Sequence, residues 1–339
     1  MTQGLHIGFA IAGLSGGGAE RVVSLLASEF ARRGHNVTLF LLKDDQEPFY
    51  HLPEDVSVVA LPILNRAAQG SRILTLFRRV RMLRKELRKH SPEVFLSFLT
   101  RENVLSILAA RGLSTRVVIS ERNNPRHSSL SKIWRFLTRL VYPRCDYFVA
   151  ISRGVESCFS WIPSKKRTTI YNPWVPPGDV RPGGTLAPTI QNILSRPTYK
   201  LLAAGRFVTQ KGFDILFRAF SQVADSVPDW DLLIVGEGTL RPDLEALAAE
   251  SAAADRIFLP GSTKAIGEVY KQSDLYVLSS RFEGLGNVLL EALGHGLPVV
   301  SFNCDFGPRE VLADGTFGTL VTPISEEALA AALLKEMTR

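Results

Sequence analysis

Cysteine is scarce in this chain of 339 residues, with only Cys145, Cys158 and Cys304. They are odd in number, sit in apolar surroundings and lack metal-ligand spacing, which argues against a disulfide scaffold or a zinc site and for buried free thiols in a reducing compartment. Long hydrophobic runs are also missing. No apolar stretch approaches the 18 residues a spanning helix needs. Met1 to Gly4 lacks the basic start of a signal peptide, and Leu5 to Leu14 reads as a first strand. A cytoplasmic protein is expected. No G-x-G-x-x-G fingerprint of a dinucleotide site is present, which weighs against an oxidoreductase. Asp44-Asp45 follows the second strand, but no cluster of hard-cation ligands accompanies it, so no metal is expected. Nor does any nucleic-acid motif accompany the basic charge.

What is present is ordinary globular material, 45% hydrophobic and 22% charged, in a chain longer than one hydrophobic core usually supports. Charge divides unevenly. Residues 1–175 hold 26 Lys and Arg against 13 Asp and Glu, and the remainder 14 against 20, so the first half carries the excess within a net charge of +7. In that half Leu5–Ala12, Val37–Leu42, Val56–Leu61, Val94–Phe98, Arg116–Ser120 and Tyr147–Ile151 read as strands alternating with amphipathic helices. A second alternating series places strands at Lys200–Ala204, Asp231–Val235, Arg256–Leu259, Leu275–Ser279, Pro298–Phe302 and Gly318–Val321. Such alternation predicts an α/β fold of two doubly wound, Rossmann-like domains with parallel sheets, residues 1–175 and 198–339. A Pro- and Gly-rich linker at residues 176–197 joins them. Two such domains facing one another would form a cleft at the carboxyl ends of their strands.

Arg281 to Gly296 is the most informative stretch, because it carries two carboxylates, Glu283 and Glu291, separated by seven residues. A short strand, a loop with Gly284 and Gly286, and a helix start are predicted, with Asn287 as N-cap or first-turn residue. The first amides of that helix, near Asn287 and Val288, point out of its positive end and suit an anion. Carboxylates flanking such a site accept hydroxyl groups rather than phosphates. A ligand with hydroxyls on both sides of its phosphates is a nucleotide-diphospho-sugar. A plain loop-to-helix junction with an acidic first turn is the alternative.

The run Glu-Gly-Leu-Gly-Asn-Val-Leu-Leu-Glu-Ala, followed by Gly-Leu-Pro-Val-Val, resembles the E-x7-E signature of retaining GT-B glycosyltransferases of family 4, a group that includes bacterial polysaccharide and lipid-linked-oligosaccharide enzymes. The resemblance implies that Glu283 contacts the donor sugar and Glu291 the ribose. Gly205-Arg206-Phe-Val-Thr-Gln-Lys211-Gly212 follows a strand. Two cations five residues apart there suit two phosphates, and the segment resembles the family's Arg-x4-Lys-Gly diphosphate motif. Gly236, Glu237 and Gly238 resemble the segment that borders the nucleotide, or form a simple turn. The turn Gly16-Gly17-Gly18-Ala-Glu20-Arg21 opens a helix. It is a phosphate cradle or merely a tight turn, and it resembles the family's Gly-Gly-Ala-Glu-Arg loop near the donor diphosphate. Gly34-His35 resembles a helix C-cap turn, making His35 structural.

Ile119-Ser-Glu-Arg-Asn-Asn-Pro125 ends a strand where many family members place a histidine, and this chain has none there. Glu121 is a candidate to orient an acceptor hydroxyl, though Asn and Pro equally suit a plain loop. Asp305-Phe-Gly-Pro-Arg-Glu310 resembles a segment common in transferases of UDP-activated galactose or N-acetylhexosamines. Arg72 to His90 sets Ile73, Leu76, Phe77, Val80, Leu83 and Leu87 on one face, with eight Lys or Arg and one acid around it. It reads as a helix binding an anionic membrane surface, as a helix packed on its domain, or as a blend of the two. Asn124 to Arg144 adds five cations and Trp134 as an interfacial aromatic. The expectation is a retaining transferase, peripheral on the inner face of the cytoplasmic membrane. It would move a sugar from a UDP-sugar to a lipid-linked saccharide with no cofactor and no metal. A GDP-mannose-dependent enzyme and a non-catalytic scaffold are the alternatives. Family members usually continue beyond the last strand, so either a short form of the fold or a chain truncated at Arg339 is expected.

Overall fold

The structure, a computed structural model, describes residues 4–14, 17–42, 50–61, 72–128, 130–174 and 185–339, apart from the side chains of residues 72 and 73. Gly16, Asp44-Asp45, the side chain of Ile73 and residues 176–184 of the expected linker lie outside them. The chain forms two compact units, Met1–Asn172 and Pro173–Arg339.

In the first unit β1 (His6–Ile11), β2 (Asn36–Leu41), β3 (Val56–Ala60), β4 (Val94–Phe98), β5 (Arg116–Glu121), β6 (Tyr147–Ala150) and β7 (Arg167–Thr169) form one sheet in the order β3-β2-β1-β4-β5-β6-β7. Every pairing in it is parallel. Helices α1 (Gly18–Arg32), α2 (Arg72–His90), α3 (Thr100–Ala110), α4 (Lys132–Val141) and α5 (Arg153–Ser157) connect the strands. Ile7, Phe9 and Ile11 of β1 share a core with Val22, Val23 and Ala27 of α1. Gly34 ends α1 in a left-handed turn, and His35 accepts the Leu5 amide on its ring at 3.1 Å. His35 is structural, as expected. The strand β7 was not foreseen, since three residues with no apolar run give no periodic signal.

The second unit repeats the plan with β8 (Tyr199–Ala204), β9 (Trp230–Val235), β10 (Ile257–Gly261), β11 (Leu275–Leu278), β12 (Val299–Phe302) and β13 (Thr319–Val321). They pair in parallel in the order β10-β9-β8-β11-β12-β13. Successive strand residues face opposite sides of a sheet, and here both sides are covered. Leu201, Leu232, Ile234 and Val277 pack with α7 (Phe213–Val223) and α12 (Glu326–Met337). Leu202, Leu233, Val235 and Tyr276 pack on the other side, with α6 (Pro188–Leu194), α9 (Ile266–Lys271) and α10 (Asn287–Gly294). Continuous apolar strands are what burial on both faces demands. Helices α8 (Arg241–Glu250) and α11 (Pro308–Val311) complete the unit. Helix α6 lies within the segment expected to be linker. Pro188 occupies its first turn, where a missing amide costs nothing, and Ile190, Ile193 and Leu194 are buried.

All three cysteines are free thiols, Cys145 and Cys304 buried and Cys158 partly so. Among the described residues no helix is long and apolar enough to cross a membrane.

Candidate donor site and comparison with known proteins

In the second sheet the strand order reverses between β8 and β11. Loops at the carboxyl ends of such neighbouring strands bound a crevice, the usual ligand position in open α/β sheets. Arg206 and Lys211 come from the loop after β8, and Glu283 from the loop after β11. Lys211 Nζ donates to Glu283 Oε1 at 2.6 Å, and Ser280 Oγ donates to the same oxygen at 2.7 Å. The pair is largely shielded, with side chains 13% and 8% exposed. Arg206 is exposed. Thus loops at one switch point carry an exposed cation, a paired cation and a buried carboxylate.

Several bonds lace the two loops together. Arg281 forks onto Asp214 with Nη1 and Nη2 at 2.8 and 2.6 Å, and its Nη1 also donates to the Thr209 carbonyl at 2.9 Å. Those bonds hold the Asp214 carboxyl below its ordinary range. Gln210 Nε2 donates to the Phe282 carbonyl, and Ser279 Oγ to that of Lys211. The Glu283 amide donates to Asp305 O at 3.1 Å, joining the Asp305–Glu310 segment to the site. Sequence reasoning assigned no role to Arg281 or Asp214.

Helix α10 begins at Asn287, with Gly286 as N-cap at φ +86°. Of the two placements expected for Asn287, N-cap or first turn, it takes the first turn, because the cap needs the left-handed conformation that glycine tolerates. Val288 follows in the first turn. Glu291, one turn on, accepts from Tyr270 Oη at 3.2 Å, and Tyr270 stacks on His295 with ring centroids 5.0 Å apart.

Residues 16–174 match the model of Glycosyltransferase Family 4, and residues 198–338 that of Glycosyl transferases group 1. The chain carries two glycosyltransferase domains. Its relatives include the N-acetylgalactosamine-N,N'-diacetylbacillosaminyl-diphospho-undecaprenol 4-alpha-N-acetylgalactosaminyltransferase of Campylobacter jejuni, 28% identical over 95% of this chain and 87% of that protein. The amylovoran biosynthesis glycosyltransferase AmsD of Erwinia amylovora is 26% identical over 94% and 85%. Among solved structures, Anabaena HepE in complex with UDP and glucose superposes with a TM-score of 0.77 at 18% identity, covering 99% of this chain and 90% of that one. The lipopolysaccharide outer core galactosyltransferase WaaB gives 0.71 at 20%, covering 98% and 90%. The two parallel-sheet units are therefore the Rossmann-like domains of a GT-B fold.

The other candidate residues of the glycosyltransferase have local partners or packing of their own. Glu237 is exposed and forks onto Arg241 at 2.9 and 2.7 Å, while Arg241 also reaches Glu245. Its carboxyl is held low by those bonds. Gly236 and Gly238 answer to packing: a Cβ at either would strike the backbone of residues 205–207 at 1.8 to 2.5 Å. Gly17 caps α1, Gly18 starts it, and Glu20 and Arg21 are first-turn residues. In the first unit Glu121 ends β5 almost wholly buried, accepting from Tyr142 Oη and from Thr100 Oγ1 at 3.1 Å. Burial pushes its carboxyl up to about 7 against the pull of those bonds. It is held inside the domain and not presented at a surface, so a direct contact with an acceptor hydroxyl is not available in this conformation. Arg122 beside it donates to Asn172 Oδ1 and lies 4.9 Å over the Phe98 ring, and desolvation lowers it to about 10.

Proposed function

We propose that this glycosyltransferase moves a sugar, galactose or an N-acetylhexosamine, from a UDP-sugar to a lipid-linked saccharide with retention of configuration, and that it needs no metal. The observation that carries the reading is the Lys211–Glu283 pair at the strand-order reversal of the second sheet, with Arg206 on the same loop as Lys211. An ammonium has three donors. One serves Glu283, which leaves capacity for a phosphate oxygen. Arg206 adds a fork for a second phosphate group, and Glu283 accepts from a sugar hydroxyl. Glu291, shared with Tyr270, is left to the ribose.

As the bond between the anomeric carbon and the phosphate oxygen breaks, negative charge grows on the leaving diphosphate. Arg206, Lys211 and the positive end of α10 lower the energy of that state more than that of the bound donor, and such differential binding accelerates the step. The acceptor oxygen forms the new bond on the face vacated, and its proton leaves with the diphosphate. Two relatives favour a lipid-linked acceptor: the Campylobacter enzyme just described and a second one from that organism, named for a further undecaprenol-linked substrate. The bound UDP and UDP-glucose in HepE favour the uridine donor. The alpha linkage in the Campylobacter names favours retention, since the usual hexose donors are α-configured.

Thermal unfolding with UDP, GDP and ADP, each with EDTA, tests the donor reading. A ligand at 100 times its dissociation constant stabilises the native state by about 2.7 kcal/mol. A shift with UDP alone is expected, followed by transfer from UDP-galactose or a UDP-N-acetylhexosamine to a polyprenyl-diphosphate saccharide. A shift with GDP alone would hand the site to a GDP-mannose enzyme. Silence from all three in folded protein would leave a scaffold.

A further inference from the structure

Helix α4 divides its circumference into three sectors. Thr138 and Val141 are buried, and Trp134 is half-buried beneath Arg101 of α3, whose guanidinium lies 5.6 Å from the ring centroid. Trp134 is thus a packing residue and not the interfacial aromatic its sequence context implied. Ile133, Phe136 and Leu140 recur at helical spacing on a second sector and are 59%, 66% and 48% exposed. Lys132, Arg135 and Arg139 occupy the third, also exposed. No Asp or Glu occurs between Arg122 and Cys145. An apolar ridge and a cationic ridge therefore run side by side along one exposed helix.

We propose that α4 is a membrane-contact helix: Ile133, Phe136 and Leu140 enter the acyl boundary of an anionic leaflet while Lys132, Arg135 and Arg139 stay among its phosphates. Three bulky hydrophobes left in water have an unfavourable hydration that burial in lipid relieves. The unbroken positive charge beside them selects an anionic surface. Helix α2, which sequence periodicity favoured, has a different fate. Its Leu83 and Leu87 are fully buried, and Arg84 donates to the carbonyls of Ala109 and Arg111, so its second half is packed on the domain. Among its described apolar side chains only Leu74 and Phe77, near its start, remain exposed, at 43% and 65%. The inference deepens the reading of a lipid-linked acceptor, and its test involves no sugar transfer.

Co-sedimentation of the full chain with phosphatidylglycerol–phosphatidylcholine vesicles, free of nucleotide and acceptor, is the measurement. Binding is expected to the mixed vesicles and not to pure phosphatidylcholine, and to weaken as salt rises. Phe136→Ser with Leu140→Ser should lower the partition coefficient by about tenfold or more. Lys132→Glu with Arg135→Glu should abolish the preference for anionic lipid. Phe77→Ser should have a smaller effect. All positions are exposed, and unchanged melting temperatures verify the fold. Equal partitioning of wild type and the Phe136/Leu140 variant would overturn the proposal. So would a wild type that ignores anionic vesicles, or apolar substitutions that dissociate a dimer in ultracentrifugation and leave lipid binding untouched. Vesicle binding without sugar transfer would instead count against the proposed activity and leave the surface standing.

Discussion

Glu283 shares the charge of Lys211 before any ligand arrives, so substitutions at Glu283 and at the cation Arg206 should act on diphosphate binding in opposite ways. Arg206→Ala removes a charge-assisted bond and is expected to weaken nucleoside diphosphate binding about 10- to 100-fold, read by calorimetry. Glu283→Gln should leave that affinity unchanged or tighter, because the freed ammonium turns to the phosphates, while turnover falls by roughly two orders of magnitude. A Gln variant that loses diphosphate affinity would show that Glu283 organises the phosphate site instead. Glu121 makes a different prediction. Its carboxyl titrates near 7 in the native protein against an ordinary value of 4.5. The native state thus holds the extra proton between those values, and the stability it gives is complete below about pH 4.5 and lost as pH rises through 7. Glu121→Gln should match wild type near pH 5 and exceed it by roughly 3 kcal/mol above pH 8 in urea unfolding. Identical differences at both pH values would contradict that assignment.

At the scale of elements, the two site loops depend on the fork between Arg281 and Asp214, 67 residues apart in sequence. Asp214→Ala is expected to cost about 1–3 kcal/mol and to raise the donor KM more than it lowers kcat, since it loosens the loops that carry Lys211 and Glu283. A KM unchanged in steady-state assays would refute this. The same fork explains what the sequence could and could not disclose. Strands β8 and β11, the glycines and the helix after each loop have local signatures in periodicity and turn chemistry, and they were legible. A pairing across 67 residues has no local signature. Nor did Glu237 carry any sign that Arg241 would claim it, because Glu237 lies in the loop before α8 and not on a helix face where i, i+4 spacing pairs charges. Helix α6 was hidden by its Pro-rich surroundings, and the division of α2 into packed and exposed halves was hidden because periodicity reports a stripe and not what covers it.

For the molecule as a whole, the two parallel sheets, their double helical cover and the apolar run Leu232–Val235 of β9 followed from composition and alternation alone. What did not follow was the polar cluster inside the second unit. Lys200, 1% exposed, donates to the Thr198 carbonyl and lies 3.7 Å from Asp231, which is wholly buried and also accepts from Arg196 at 2.9 Å. Asp274 takes the Lys200 amide at 2.7 Å. Asp231→Ala would strand a buried ammonium and is expected to destabilise the protein by about 3–5 kcal/mol in urea unfolding. A loss under 1 kcal/mol would mean that water reaches Lys200.

These groups sit at the amino ends of β8, β9 and β11, whereas Arg206, Lys211 and Glu283 sit beyond the carboxyl ends. With about 3.3 Å per strand residue, some 15–20 Å of packed sheet lies between the two sets. Robustness and chemistry are thereby partitioned to opposite rims of one sheet. Libraries that randomise the donor loops to change the transferred sugar should consequently yield mostly folded protein, a tolerance that the same libraries aimed at positions 196, 200 and 231 would not enjoy.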